Sequence, residues 1–228
     1  MPEFAVIIPA AGQSRRFGGD RGKLIVSLEN KPVMRHSLAA FARRRDVRHI
    51  IVAVPPGNTE LRKMIPHSST LTLCDGGDNR AESVLNALRR VPADIEWVAV
   101  HDAARPLISD ILIDRTLAAA VEHGAAVPAL PVAQTIKRAE GNLPARAIET
   151  VPRQGLFLMQ TPQIMRRSDL LDAYAACKVP LEQITDDAQL LELAGKNVWL
   201  VEGEPSNLKI TTPFDLLMAQ TLWARRRE

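Results

Sequence analysis

The chain has 228 residues, 46% of them hydrophobic and only 4% aromatic, with a net charge of +3. That length buries a full core in a single domain over 1–228, the scarcity of aromatic rings leaves no row of base-stacking platforms, and the mild positive excess suits a small anionic ligand, so no nucleic-acid partner is expected. Cys74 and Cys177 have no zinc-site spacing and read as free thiols of a reducing cytoplasm, and with no run near the ~18 apolar residues of a membrane span, no membrane partner is expected either.

In chain order, the apolar run over 4–8 predicts a core strand rather than a signal peptide. It leads into Pro9-Ala10-Ala11-Gly12-Gln13-Ser14-Arg15-Arg16-Phe17-Gly18-Gly19-Asp20-Arg21-Gly22-Lys23, which combines four glycines, three arginines and a lysine. Glycines let backbone N–H groups approach phosphate oxygens, and Arg16 and Lys23 bring the charge that substitution at a polyphosphate requires. Neither familiar phosphate loop fits. A P-loop needs glycine where Phe17 stands and Ser or Thr where Leu24 stands, and the dinucleotide fingerprint needs glycine where Ser14 stands.

Further strands are expected over 50–54, 71–74 and 97–100, alternating with helices over 32–44, 58–64, 81–90 and 110–122. Strands that are apolar throughout, rather than alternating, are covered on both faces, which predicts an α/β fold with a mainly parallel sheet between helical layers. Ligands of such sheets bind beyond the carboxyl ends of the strands. The glycine loop, Asp75-Gly76-Gly77-Asp78-Asn79-Arg80 and His101-Asp102-Ala103-Ala104-Arg105-Pro106 all follow strands. From about 131 to 153 the alternation stops, and two polar strands around Gly141-Asn142 predict a protruding β-arm, for which a second copy of the chain is the simplest partner. Helices over 168–178 and 186–194, a strand over 198–201 and a helix from Pro213, with Thr212 as its N-cap, complete the reading.

Six segments carry a family resemblance: Pro9-Ala10-Ala11-Gly12 with Arg16 and Lys23, Gly76-Gly77-Asp78-Asn79-Arg80-Ala81-Glu82-Ser83-Val84, His101 to Pro106, Thr150-Val151-Pro152-Arg153, Thr161-Pro162-Gln163, and Asn207-Leu208-Lys209-Ile210-Thr211. In order and spacing the chain resembles the 2-C-methyl-D-erythritol 4-phosphate cytidylyltransferases over essentially its whole length. The resemblance implies a Rossmann-like three-layer sandwich of the nucleotide-diphospho-sugar transferase type, and transfer of a cytidylyl group from CTP to methylerythritol phosphate with release of pyrophosphate. It implies that Arg16 and Lys23 stabilise the transition state at the α-phosphate, and that Arg153 and Lys209 orient the attacking phosphate. Ala10, Ala11, Gly12, Gly77, Asp78, Arg80, Ser83, Asp102 and Ala103 are expected around the nucleotide, and Arg105, Thr135 and Thr161 around the acceptor. Mg²⁺ is expected on the triphosphate, with Asp102 as the carboxylate nearest to it. Arg153 is expected to reach the other subunit of a homodimer. Where the family commonly has Pro and Gln on either side of the loop lysine, this chain has Gly22 and Leu24.

Plainer readings stand beside these. For Asp102 the alternative is a turn cap and for Arg105 the partner of a structural carboxylate, each second to the functional role, whereas Asp186-Asp187 reads first as acids favoured at a helix start rather than a metal pair. His101 reads as a satisfied strand-end histidine, because an attacking phosphate has no proton to give up. Two other functions remain open on sequence grounds: a cytidylyltransferase for another polyol phosphate such as ribitol 5-phosphate, and a nucleotide-binding regulator without turnover.

Overall fold

Alternate side chains of the first strand, β1 (Phe4–Pro9), enter different cores: Phe4, Val6 and Ile8 join one apolar cluster, Ala5 and Ile7 another. A strand buried on both faces requires helices on both. The computed structural model, which describes residues 1–12, 17 and 22–225, supplies them. After β1 come a small hairpin of β2 (Ser27–Leu28) and β3 (Lys31–Pro32), then α1 (Val33–Ala42), β4 (Val47–Val54), α2 (Thr59–Met64), β5 (Leu71–Asp75), α3 (Arg80–Leu88), β6 (Trp97–Val100) and α4 (Asp110–His123). The second half contains β7 (Ala125–Pro131), β8 (Ile136–Ala139), β9 (Ala147–Val151), β10 (Phe157–Met159), β11 (Gln163–Arg166), α5 (Arg167–Ala176), α6 (Asp187–Leu193), β12 (Trp199–Glu202) and α7 (Pro213–Arg225). Phe41 of α1 and Leu112 and Leu117 of α4 fill one side of the sheet; Val84 and Leu88 of α3 and Leu170 of α5 fill the other.

The eight-stranded sheet has the order β10-β7-β11-β6-β1-β4-β5, with β12 also paired to β7. Strands β5, β4, β1, β6, β7 and β12 run one way, and β10 and β11 the other. The mainly parallel three-layer sandwich expected from the sequence is therefore present. Helix starts follow local chemistry: Asn58, Asn79, Ser109 and Asp186 each accept a hydrogen bond from a backbone N–H of the first turn, satisfying donors that have no intrahelical partner. α4 stops at Gly124, whose φ of 93° lies in the region that favours glycine.

Five strands were not expected: β2 and β3 of the small hairpin, and β7, β10 and β11, which lie largely in stretches to which the sequence assigned no element. The β7 sequence, Ala-Ala-Val-Pro-Ala-Leu-Pro, is poor in β-branched residues, and an internal proline argues against a central strand. β7 is nonetheless paired on both sides. Its pairing with β11 ends at Ala126 and that with β10 begins at Ala129, so Pro128 falls in the gap between two short strands on one side. β8 and β9 form the expected arm as a separate two-stranded sheet, exposed along most of its length.

Candidate active site

The carboxyl ends of β1, β4, β5 and β6 open onto one cavity of about 560 Å³. Pro9, Ala11 and Gly12 reach it from β1, Pro55, Pro56 and Asn58 from β4, Gly77, Asp78, Asn79, Arg80 and Ser83 from the β5–α3 connection, and Asp102, Ala103 and Ala104 from β6. Lys23, at the end of the glycine loop, and Lys209, from the segment before α7, line it as well. Segments from both ends of the chain thus meet in one place.

The β5–α3 turn is held from within. Ser83 Oγ accepts from the Gly77 N–H at 3.1 Å and donates to the Asn79 carbonyl at 2.8 Å. The Glu82 carboxylate accepts from the Asp78 N–H and from Asn79 Nδ2, each at 2.8 Å. A Cβ on Gly76 would overlap the Ala11 side chain, and one on Gly77 would overlap Glu82. Both glycines are therefore required by close approach, and the turn keeps its backbone against the first loop.

Asp102 is the electrostatic centre. Its Oδ2 lies 2.9 Å from Lys209 Nζ and 3.5 Å from Arg105 Nε, and its Oδ1 lies 3.6 Å from Arg80 Nε. Burial alone pushes the Asp102 pKa up, but the charges of Arg80, Lys209 and Arg105 outweigh it and hold the carboxyl well below the usual carboxylate range. Arg80 also bonds the buried Asp187 at 2.8 Å. Burial disfavours its charge, yet Asp187 and Asp102 together keep the guanidinium above its ordinary range. Two carboxylates thus brace one arginine at the cavity wall.

Beneath this layer a hydrogen-bonded chain fixes the β6 end. The Asp102 N–H donates to Thr161 Oγ1 at 3.0 Å, and Thr161 Oγ1 and His101 Nδ1 are 3.1 Å apart. His101 Nε2 lies 3.1 Å from the Arg105 carbonyl. That carbonyl can only accept, so Nε2 carries the proton and Nδ1 accepts from the threonine hydroxyl. Burial lowers the His101 pKa to about 4, so the ring is neutral at pH 7. With both nitrogens engaged and the side chain fully buried, it has no proton to exchange with a ligand.

The predicted residues divide accordingly. Ala11, Gly12, Lys23, Gly77, Asp78, Arg80, Ser83, Asp102, Ala103 and Lys209 line the cavity; Ala10 is buried behind it, its N–H bonded to the Ala53 carbonyl at 2.7 Å. Arg16 lies outside the described residues. Arg105 and Thr161, expected around an acceptor, are 8% and 4% exposed and do not line the cavity. Arg105 spends its terminal nitrogens on the carbonyls of Asn207, at 2.7 Å, and Met159, at 3.2 Å. Thr135 is exposed on the arm, and Arg153, also exposed, turns its guanidinium to the Ala133 carbonyl of that arm. Asp186 caps α6 and Asp187 holds Arg80, which accounts for both without a metal. Pro55, Pro56 and Asn58 were missed; their only signal is their place after a parallel strand.

Among the described residues no group of three or more His, Cys, Asp or Glu side chains could cage a metal ion, and no helix is long and apolar enough to cross a membrane. The residues fit a Mg²⁺ brought in on a polyphosphate: Asp102 lines the cavity, and among the described residues the one ion pair of its Oδ1 is the 3.6 Å contact to Arg80.

Comparison with known proteins gives the family and agrees with the fold. The family model described as IspD, 2-C-methyl-D-erythritol 4-phosphate cytidylyltransferase, matches residues 4–225. A protein of that name from Bacillus cereus is 39% identical over 222 residues, 96% of each chain. The crystal structure of the enzyme of that name from Thermus thermophilus is 37% identical and superposes with a TM-score of 0.81, covering 97% of this chain and 99% of that one. The Francisella tularensis structure of the same name is 31% identical with a TM-score of 0.83, covering 96% and 99%.

Proposed function

Since the chain belongs to the 2-C-methyl-D-erythritol 4-phosphate cytidylyltransferase family, we propose that its cavity binds CTP and methylerythritol phosphate and joins them by charge neutralisation and positioning. The activity is that of a nucleotidyltransferase of isoprenoid precursor synthesis. An oxygen of the acceptor phosphate attacks the α-phosphorus of CTP. The bond from that phosphorus to the bridging oxygen breaks, and its electron pair leaves on pyrophosphate. The nucleophile is already anionic, so the site needs no general base, and the neutral, enclosed His101 fits that requirement.

Roles for individual residues follow from position. The backbone of Ala11, Gly12, Gly77 and Asp78 reads and holds the nucleotide, and Lys23 with Arg16 neutralises charge developing at the α-phosphate. Lys209, tethered by Asp102, faces the acceptor phosphate. Arg105 and Thr161 support the Asp102 turn from beneath. A Mg²⁺ carried on the triphosphate, with Asp102 beside it, would add neutralisation of the phosphate oxygens. We further propose a homodimer in which the arm brings Arg153, and with it Thr135, to the partner's cavity. What supports this is that Arg153 does not line its own chain's cavity, and that Leu143 and Ile148 of the arm are exposed, as are Leu156, Phe157 and Leu158. The free thiols of Cys74 and Cys177 suit a cytoplasmic setting.

The observation that carries the reading is the convergence of Gly12, Lys23, Gly77, Asp102 and Lys209 on one cavity. Pyrophosphate release from CTP, measured separately with methylerythritol phosphate and with ribitol 5-phosphate, tests it. Turnover with the first and little with the second is expected; the reverse preference would reject the acceptor assignment.

A further inference from the structure

Lys209 has a long, flexible stem and a half-exposed side chain, so its usefulness depends on how firmly its backbone is fixed. One residue on, Ile210 is fully buried, and its N–H bonds the Ala104 carbonyl at 2.9 Å, within the turn that carries Asp102. Two residues on, Thr211 meets Asp215 of α7. Asp215 Oδ2 accepts from the Thr211 hydroxyl at 2.6 Å, from the Thr211 N–H at 2.8 Å and from the Thr212 N–H at 2.8 Å, while the Asp215 N–H points back to Thr212 Oγ1 at 3.3 Å.

A capping box ties the residue before a helix to the third residue within it. Here the carboxylate reaches one residue further back and takes both hydrogen-bond donors of Thr211, which lies outside the helix. Those two bonds fall outside α7 and fix the chain that leads to Lys209. The helix that supplies Asp215 is anchored in turn. Ala219 belongs to an apolar cluster with Leu28, Leu107 and Ile210, against which Trp223 also packs; Leu28 stands in the hairpin just after Lys23, and Leu107 just after Arg105.

We propose that Asp215 is a positioning residue of the transfer reaction, clamping Thr211 so that Lys209 stays seated against Asp102 at the cavity wall. This rests on the reading above that Lys209 faces the acceptor phosphate. Thr211→Val removes the hydroxyl arm of the clamp, Asp215→Ala removes all of it, and Asp215→Asn keeps an oxygen acceptor for the two N–H groups.

The test is kcat, KM for both substrates and Tm for these variants, for Lys209→Ala and for the Asp215→Ala/Lys209→Ala double variant. A displacement of about 1 Å in a positioned group costs on the order of 100-fold, so Asp215→Ala is expected to lower kcat by about ten- to a hundredfold, with Thr211→Val lowering it less, Asp215→Asn recovering most of it, and KM for CTP nearly unchanged. In the Lys209→Ala background Asp215→Ala should lower the remaining turnover no further, since a residue acting through another is not additive with it. A Tm loss with unchanged kcat, or an equal kcat loss with and without Lys209, would reject the clamp while leaving the proposed function intact. Near-normal kcat in Lys209→Ala would instead reject the role of Lys209, and the clamp with it. If Asp215→Ala does not fold, Thr211→Val alone and combined with Lys209→Ala makes the same comparison.

Discussion

The half of the sheet built from β5, β4, β1 and β6 and the half built from β11, β7, β10 and β12 differ in what holds them together and in what they contribute. The first consists of parallel strands sealed between helices, with Phe4, Ile7, Ile50 and Val98 almost wholly buried. The loops that follow its strands all leave on one side, and with Lys209 they line the cavity. The second mixes the antiparallel strands β10 and β11 with the parallel pair β7 and β12, exposes Phe157, Leu158 and Trp199, and carries the arm. The buried parallel half carries the residues that line the cavity, and the half with exposed apolar side chains is where the proposed dimer contact would fall.

If the comparison is right, lesions in the parallel half act on chemistry and on fold in separable ways. The largest effect is expected at the glycine loop: Arg16→Ala and Lys23→Ala should each lower kcat by about 10² to 10³, the size typical of losing one stabiliser of transition-state charge, while the chain stays folded. Steady-state kinetics with circular dichroism checks this, and a folded variant with near-normal kcat would break the assignment.

Next in size is the braced arginine. Among the described residues, Asp187→Ala leaves Arg80 only the 3.6 Å ion pair to Asp102, and removing one partner of a buried ion pair costs up to about 3 kcal/mol where the remaining charge keeps some access to solvent, as Arg80 does. Denaturant unfolding should show that loss together with a raised KM for CTP. Unchanged stability would mean that Arg80 finds compensation elsewhere.

A smaller, pH-dependent effect is expected at His101. Its pKa is about 4 when folded, against 6.5 for the free side chain, so between those values the unfolded chain binds a proton that the folded one does not. Stability from this residue is complete above pH 6.5 and falls as the pH drops, by about 3 kcal/mol at about pH 4. Asp102, whose pKa is depressed, adds its own loss only below its unfolded value of 3.8. Unfolding measured from about pH 7 to pH 4 should be less pH-dependent in His101→Gln than in the wild type; equal slopes would place the titration elsewhere.

The same contrast decided what could be read from the sequence. The parallel half was legible because its strands are continuous apolar runs and its functional loops fall at their ends, so Gly77, Asp102 and Lys23 stand out from sequence alone. β7 was not legible: its alanines and Pro128 are chosen by the break between β10 and β11, a tertiary circumstance with no local signature. Arg105 and Thr161 were recognisable as belonging to the site, but the direction of a side chain is set by partners distant in sequence, here Asn207, Met159 and His101. Motif position alone could not tell a wall of the cavity from its foundation.

The central claim is that one half of the sheet makes the site and the arm of the other completes the site of a second copy. Mixing inactive Arg153→Ala chains with inactive Lys23→Ala chains tests it most directly, once subunit exchange has been confirmed by mass spectrometry of tagged chains. One cavity of each hybrid then has an intact Lys23 and receives an intact Arg153 from its neighbour, and up to about half the activity of a wild-type dimer should return. Confirmed hybrids that stay inactive would contradict the account and assign Arg153 to its own subunit.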